Sequence, residues 1–263
     1  MRFSDGSDQF IQGEGRNTTY VSRMQCVQAA IDQQILEMQA AAPKRRVGVV
    51  TFNGEVTVVG DGSAQPKTVA GDKLYDEKEL MAFADEEAGA FLQRPISESH
   101  KVLSEKVMQI EETGPTALGP ALLTAIGMAG AGKAGSSVVL CTDGLANVGL
   151  GSLEEAKSEE AMNKAVEFYE RVGVYAKEKG VTVNIISIVG EECDIETLST
   201  ISELTGGNVE RVEPEMLTNN FANILSVPVI ASNVTTKVKI HKGLEFRNED
   251  AANLSADKTL LAR

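Results

Sequence analysis

A doubly wound α/β fold is predicted by three features of this 263-residue sequence. It would hold a mostly parallel sheet with one antiparallel edge strand and helices on both faces. First, apolar β-type runs alternate with helical stripes, the order that produces parallel βαβ units with right-handed crossovers. Second, several of those runs are apolar almost without interruption, as strands covered on both faces require. Third, Asn53-Gly54 joins residues 46–52 to residues 55–59, and its preference for positive φ marks a hairpin.

The elements follow in order. Residues 1–20 are polar and Gly-rich and read as a loop or disordered lead-in. From Val21 onward, Met24, Val27, Ile31, Ile35 and Met38 recur at three- and four-residue spacing, one apolar helical stripe that ends before Pro43. The strand run 46–52 and its hairpin partner come next, then a polar excursion over 60–71. Helical patterning covers 77–92, stops at Pro95, and returns over 99–112. Pro120 suits the first turn of a further helix carrying Leu122, Leu123 and Ile126. Residues 137–142 form a strand run, a long charged helix spans 153–179, and a second run covers 181–189. A helix through Leu198, Ile201 and Leu204 closes at Thr205-Gly206-Gly207, where glycine tolerates the left-handed conformation. A short run over 209–212 and a helix over 215–224 complete the alternation. The rhythm then breaks: Val234, Thr236, Val238 and Ile240 alternate with polar residues, as in a half-exposed antiparallel strand. The expected organisation is a polar lead-in over 1–20, an α/β domain over 21–228, and the start of a β-rich segment over 229–263.

Composition narrows the function. With 42 % apolar and 24 % charged residues, the chain can fill a core. Its formal charge of −13 repels phosphate backbones, so nucleic acid and anionic membrane are excluded as expected partners. Cys26, Cys141 and Cys193 are odd in number and widely spaced, which is no disulfide framework. The first eight residues lack the apolar run of a secretory signal, and no stretch approaches a membrane span. A reducing cytoplasmic location is the expectation, and the Asn-x-Ser/Thr sequences at Asn17, Asn233 and Asn253 read as unmodified.

Several motifs imitate chemistry. Gly130-Ala131-Gly132-Lys133-Ala134-Gly135 has the spacing of a dinucleotide loop, and residues 127–133 imitate a P-loop. Both motifs need strand, loop, helix in that order, so that a helix N-terminus faces the phosphates. Here the order is helix, loop, strand. Cys141 reads as an inert thiol in an apolar strand, and His100 and His241 as unrelated surface residues. The pairs Glu86-Glu87, Glu111-Glu112, Glu154-Glu155 and Glu159-Glu160 read as solvated helix faces. No catalytic constellation survives, and the expectation is that the chain is not an enzyme.

Two loops remain. Gly114-Pro115-Thr116-Ala117-Leu118-Gly119 puts the Thr116 hydroxyl at the start of a helix. Leu140-Cys141-Thr142-Asp143-Gly144 puts the Asp143 carboxylate at the carboxyl edge of a strand, where open α/β sheets collect ligands. A hydroxyl and a carboxylate together suit a hard cation.

These loops resemble the fourth and fifth elements of the metal-ion-dependent adhesion site in von Willebrand factor A domains. That family's Gly-x-Thr-x-x-Gly-x-Ala-Leu stretch matches residues 114–122, and its strand ending Thr-Asp-Gly matches residues 142–144. The helix ending Thr-Gly-Gly at 205–207 and the hairpin over 47–59 are similar as well. The resemblance covers about residues 21–228. It implies Thr116 and Asp143 as metal ligands for Mg²⁺, Mn²⁺ or Ca²⁺. It also implies a non-catalytic role in an intracellular scaffold or assembly, with an unidentified protein partner that in this family often offers an acidic side chain. The departure is the family's first strand, which ends in Asp-x-Ser-x-Ser and lies mid-sheet. Asp5-Gly6-Ser7-Asp8-Gln9 is the nearest string, with Gln9 in place of the second serine, and Asp61-Gly62-Ser63 reads as a turn. The expectation is therefore a fragment or a gene model without its first exon, with weak or no metal affinity. A partner segment would fill the gap, unless the runs 46–52 and 137–142 pair directly. Alternatives are a COPII-coat-trunk-like protein, a RING ubiquitin-ligase-associated protein of the same fold, or a nucleotide-binding enzyme using Gly130 to Gly135.

Overall fold

The computed structural model describes residues 9–12, 19–111, 114–132, 135–154, 158–190, 194–226, 234 and 236–262. Contacts divide the chain into two units, Met1–Ile230 and Ala231–Arg263. Residues 5–8 of the Asp5 string, with Cys193, Asn17 and Asn233, lie outside the described residues.

In the first unit, strands β1 (Gln9–Gln12) and β2 (Thr19–Ser22) form a small antiparallel hairpin that sets Phe10 opposite Val21 and Ile11 opposite Tyr20. The loop reading of the lead-in is therefore corrected at residues 9–12 and 19–20, where strands too short to show a period pair with each other. Ser22 then starts α1 (Arg23–Ala41) with a capping box, its hydroxyl accepting from the Gln25 N–H and its own N–H donating to Gln25 Oε1.

Two three-stranded sheets follow. Antiparallel β3 (Val49–Phe52), β4 (Val56–Gly60) and β5 (Lys67–Val69) make the first. Parallel β6 (Ser136–Thr142), β7 (Val181–Ile188) and β8 (Val209–Val212) make the second. The α/β class is as predicted, and the antiparallel part is larger by β5, hidden in the polar excursion. At Asn53-Gly54 the hairpin forms without positive φ at either residue. Instead three residues close the turn, the Asn53 N–H donating to the Glu55 carbonyl and the Glu55 N–H to Asn53 Oδ1. Among the described residues β3 and β6 do not pair, so each is the edge of its own sheet.

Helices cover both faces. On one side lie α1, α3 (Ile96–Val107) and α7 (Leu217–Ser226), with Val47, Val49, Val139 and Cys141 turned toward them. On the other lie α2 (Glu77–Ala82), α4 (Leu118–Gly130), α5 (Glu159–Glu178) and α6 (Ile195–Thr205), sharing a core with Val50, Phe52, Val138 and Leu140. α4 touches both β3 and β6, and eleven of its thirteen residues are buried. α6 ends as its sequence requires, at Gly206 with φ 72°.

In that core the fully buried Tyr169 donates its hydroxyl to the Gly151 carbonyl at 2.9 Å. Tyr169→Phe leaves that carbonyl without this donor, and a loss of about 1–2 kcal/mol is expected. An unchanged urea midpoint would refute it.

The second unit contains β9 (Lys237–Lys239) paired antiparallel with β10 (Leu260–Ala262). The stretch around Val238 is an antiparallel strand, but all three residues of β9 are exposed, so the half-buried face expected from the alternation is not present.

Candidate functional site

Three loops are tied together where β3 and β6 end. The Ala117 N–H donates to the Asn53 carbonyl at 2.7 Å, joining the loop before α4 to the turn after β3. The Thr116 N–H donates to Asn147 Oδ1 at 2.5 Å. In return the Asn147 and Val148 N–H groups donate to the Thr116 carbonyl at 3.1 and 3.3 Å. The carboxyl ends of β3 and β6 therefore share one rim, and the two strands run in the same sense. Thr116 and Asp143 both line the cleft that opens there, and each is part-buried.

Two residues at this rim went unnoticed in the sequence. Asn147 fixes the Thr116 loop, and only its place after Thr-Asp-Gly hints at the role. Arg23, at the start of α1, sets its Nε 3.5 Å from Asp143 Oδ2, with its side chain only 12 % exposed. Gly190, just past β7, makes that possible, because a Cβ there would collide with Arg23 Nη1. No sequence periodicity links residues so far apart.

The donor set decides whether a hard cation fits. Mg²⁺ takes near-octahedral oxygen coordination and keeps several waters. Asp143 and Thr116 offer two side-chain oxygens, and among the described residues no three of His, Cys, Asp and Glu come together as a metal set. The Arg23 guanidinium already stands within ion-pair distance of Asp143, where it competes with a cation. These residues do not fit a tightly held metal ion.

The imitations sort themselves out. Gly130 ends α4 and Gly135 precedes β6, so the glycine loop follows a helix C-terminus and offers phosphates no helix N-terminus. Burial, then the charge of Asp143, pushes the Cys141 thiol up to about 12, which leaves it unreactive near neutrality. His100 Nδ1 lies 3.2 Å from the Ile96 carbonyl, and His241 Nδ1 accepts from the Gly243 N–H within the other unit. Asp61-Gly62-Ser63 is a turn, with the Asp61 carboxylate held by backbone donors.

The Sec23/Sec24 trunk domain model matches residues 17–224. The chain belongs to the Sec23/Sec24 trunk domain family. This trunk domain has the von Willebrand factor A fold and is a protein-interaction domain of that type. It is 34 % identical over 244 residues to Circularly permutated Ras protein 1 of Dictyostelium discoideum, covering 92 % of this chain and 28 % of that relative. The trunk domain thus spans little more than a quarter of that relative's length. Among solved structures, the human COPII-coat protein Sec24c superimposes with a TM-score of 0.53 at 19 % identity, over 76 % of this chain and 30 % of that one. A von Willebrand factor type A protein from Catenulispora acidiphila gives 0.49 at 17 % identity, over 76 % of this chain and 37 % of that one. The Sec24c likeness shows the fold. Trunk and von Willebrand factor A domains are generally non-catalytic scaffolds.

Proposed function

We propose that this trunk domain works without catalysis, as a cytoplasmic coat-like scaffold module that holds a protein partner at the rim of Thr116, Asn147, Asp143 and Arg23. The observation that carries the reading is the gathering of those four side chains at one mouth of the cleft by mutually bonded loops. Membership of the trunk family supports a scaffold role. Among the described residues no helix is long and apolar enough to cross a membrane.

A photo-crosslinking side chain at Glu154, which is exposed along the same cleft and is none of the four rim residues, tests the reading in cells. Crosslinks to protein are expected there and not from an exposed position such as Glu98 on α3; equal yields at both would refute the rim. Titration with ATP, GTP and NAD tests the enzyme alternative, and saturable binding abolished by Gly132→Val would revive it.

Divalent cations bind the rim weakly in this reading, because Arg23 competes for Asp143. Arg23→Gln is expected to raise Mn²⁺ affinity about tenfold or more, the scale of one close charge pair near a surface. Asp143→Ala should remove whatever binding exists. Calorimetric titration checks both, and Mn²⁺ affinity unchanged by either substitution would remove the metal from the rim.

A further inference from the structure

α2 and α5 leave a groove of about 560 Å³ between them, with Leu123 of α4 in its lining. Met81 of α2 and Val172 and Val174 of α5 complete an apolar surface. Leu123 and Val172 are buried, whereas Val174 is 47 % exposed. A β-branched residue gains an exposed helix position nothing, because the helix restricts its χ1 freedom. A lone exposed valine is ordinary on a protein surface; one that continues an apolar groove marks a place of contact.

Carboxylates frame this lining. Glu167, Glu170, Val174 and Glu178 recur at three- and four-residue spacing and share one face of α5. Arg171 also lines the groove, but it is committed to α2: its Nε and Nη2 donate to the two Glu77 oxygens at 3.2 and 2.9 Å. Lys164 and Lys179 pair with Glu160 and Asp85. Among the described residues no ion pair takes up Glu167, Glu170 or Glu178. Three such carboxylates beside an apolar channel fit a cationic occupant with an apolar face. They repel a second copy of this chain, whose formal charge is −13.

The interiors of α2, α4 and α5 bond their N–H and C=O groups within themselves, so the groove offers an entering chain no main-chain partner. A helix satisfies its own backbone and needs none. From Glu167 to Glu178 the face runs about 16 Å, three turns of helix at 1.5 Å per residue.

We propose that the groove between α2 and α5 receives a basic amphipathic helix of a partner protein, about three turns long. Its apolar stripe lies on Met81 and Val174, and its lysines or arginines stand beside Glu167, Glu170 and Glu178. Apolar anchors at helical spacing supply affinity, as in other helix-in-groove contacts, and the charges set orientation and encounter rate. None of the four rim residues takes part, so this contact is independent of the rim reading.

The test uses the full chain and a fluorescent, acetylated peptide, Lys-Leu-Lys-Ala-Leu-Leu-Lys-Lys-Leu-Ala-Lys-Leu-Leu-Lys-Lys. One-to-one binding is expected, with a gain of helical circular dichroism on mixing. The Met81 methyl resonance should shift, and that of Met216, exposed just before α7, should not. Val174→Asp, and Glu170→Lys combined with Glu178→Lys, should each weaken binding about tenfold or more; all three positions are exposed, so the core is left intact. Glu105→Lys with Glu203→Lys, the same charge change on α3 and α6, should leave affinity as it is. Absent binding, no gain of helix, or an unmoved Met81 overturns the proposal, and so does parental affinity in either groove variant. Equal weakening by the control pair overturns it too, since any acidic surface would then serve. So does equal binding of a peptide with glutamates for lysines, or with its leucines scattered around the helix. A Met81 resonance that shifts with protein concentration alone would give the groove to a second copy and overturn it as well.

Discussion

Gly119→Val is expected to lower the unfolding temperature by about 6–12 °C, from a loss near 3 kcal/mol at about 2–4 °C per kcal/mol for a domain of this size. Gly119 is the second residue of α4, where a Cβ would strike the Leu150 carbonyl oxygen and come within 2.7 Å of Phe168 Cε1. Neither neighbour can yield. Leu150 is anchored through its N–H to the Leu74 carbonyl at 2.9 Å and flanked by Gly149 and Gly151, both at positive φ. Phe168 is buried beside Tyr169 in an edge-on ring pair. Replacing glycine in a helix gains roughly 0.5–1 kcal/mol of backbone entropy, whereas overpacking costs about 1–3 kcal/mol or more. The clash wins. Gly119→Ala, carrying the same Cβ, should lose about half as much, and circular dichroism melts check both. A Gly119→Val melt within a degree of the parent would show that the loop at Leu150 is not fixed.

Asp61→Ala should cost about 3 kcal/mol or more. The Asp61 residue is 1 % exposed, and its carboxylate accepts from the Ser63 N–H at 3.0 Å, the Ser63 hydroxyl, the Gln93 N–H at 2.8 Å and the Arg94 N–H at 2.7 Å. It ties the end of β4 to the entry of α3. Removing it strands buried backbone donors, each worth about 1–3 kcal/mol when left unpaired. Burial alone would push this carboxyl up. The Arg94 N–H, the Ser63 hydroxyl and N–H, and the Gln93 N–H outweigh burial and hold it below the ordinary carboxylate value. The sign of the pH dependence follows. A carboxylate depressed in the folded state contributes its stability above the unfolded value, near pH 4, and loses it as pH falls through the folded one. The stability gap between the parent and Asp61→Asn should therefore narrow below about pH 4. Urea titrations at pH 6 and pH 3 measure it, and a gap constant across that range would refute the role assigned to the carboxylate.

How much of this was legible in the sequence depends on the range of the interaction. β6 and the ends of α1 and α6 followed from local signals: an apolar run, a proline stop, a glycine cap. Asp61-Gly62-Ser63 was readable as a turn because Asp reaches its own backbone two residues on, but Gln93 and Arg94 as its distant donors were not. β5 and the β1–β2 hairpin escaped because strands of three or four residues amid polar sequence carry no period. Thr116 and Asp143 could be named from motif spacing. Arg23 could not, since its approach to Asp143 rests on the absent side chain of Gly190. The antiparallel turn at Asn53 formed through side-chain and carbonyl bonds rather than through the backbone angles its dipeptide favours.

α4 has almost no solvent face. A surface helix such as α5 can drift in sequence on its wet side and keep its fold, whereas α4 meets a neighbour in nearly every direction. A saturation survey of substitutions would trace it as a band of intolerance, with Gly119 and Gly127 the least replaceable positions, since a Cβ at Gly127 would meet the Ala84 backbone. Evolution can reshape this domain's outer helices without unfolding it; its inner one is bound by every partner it touches.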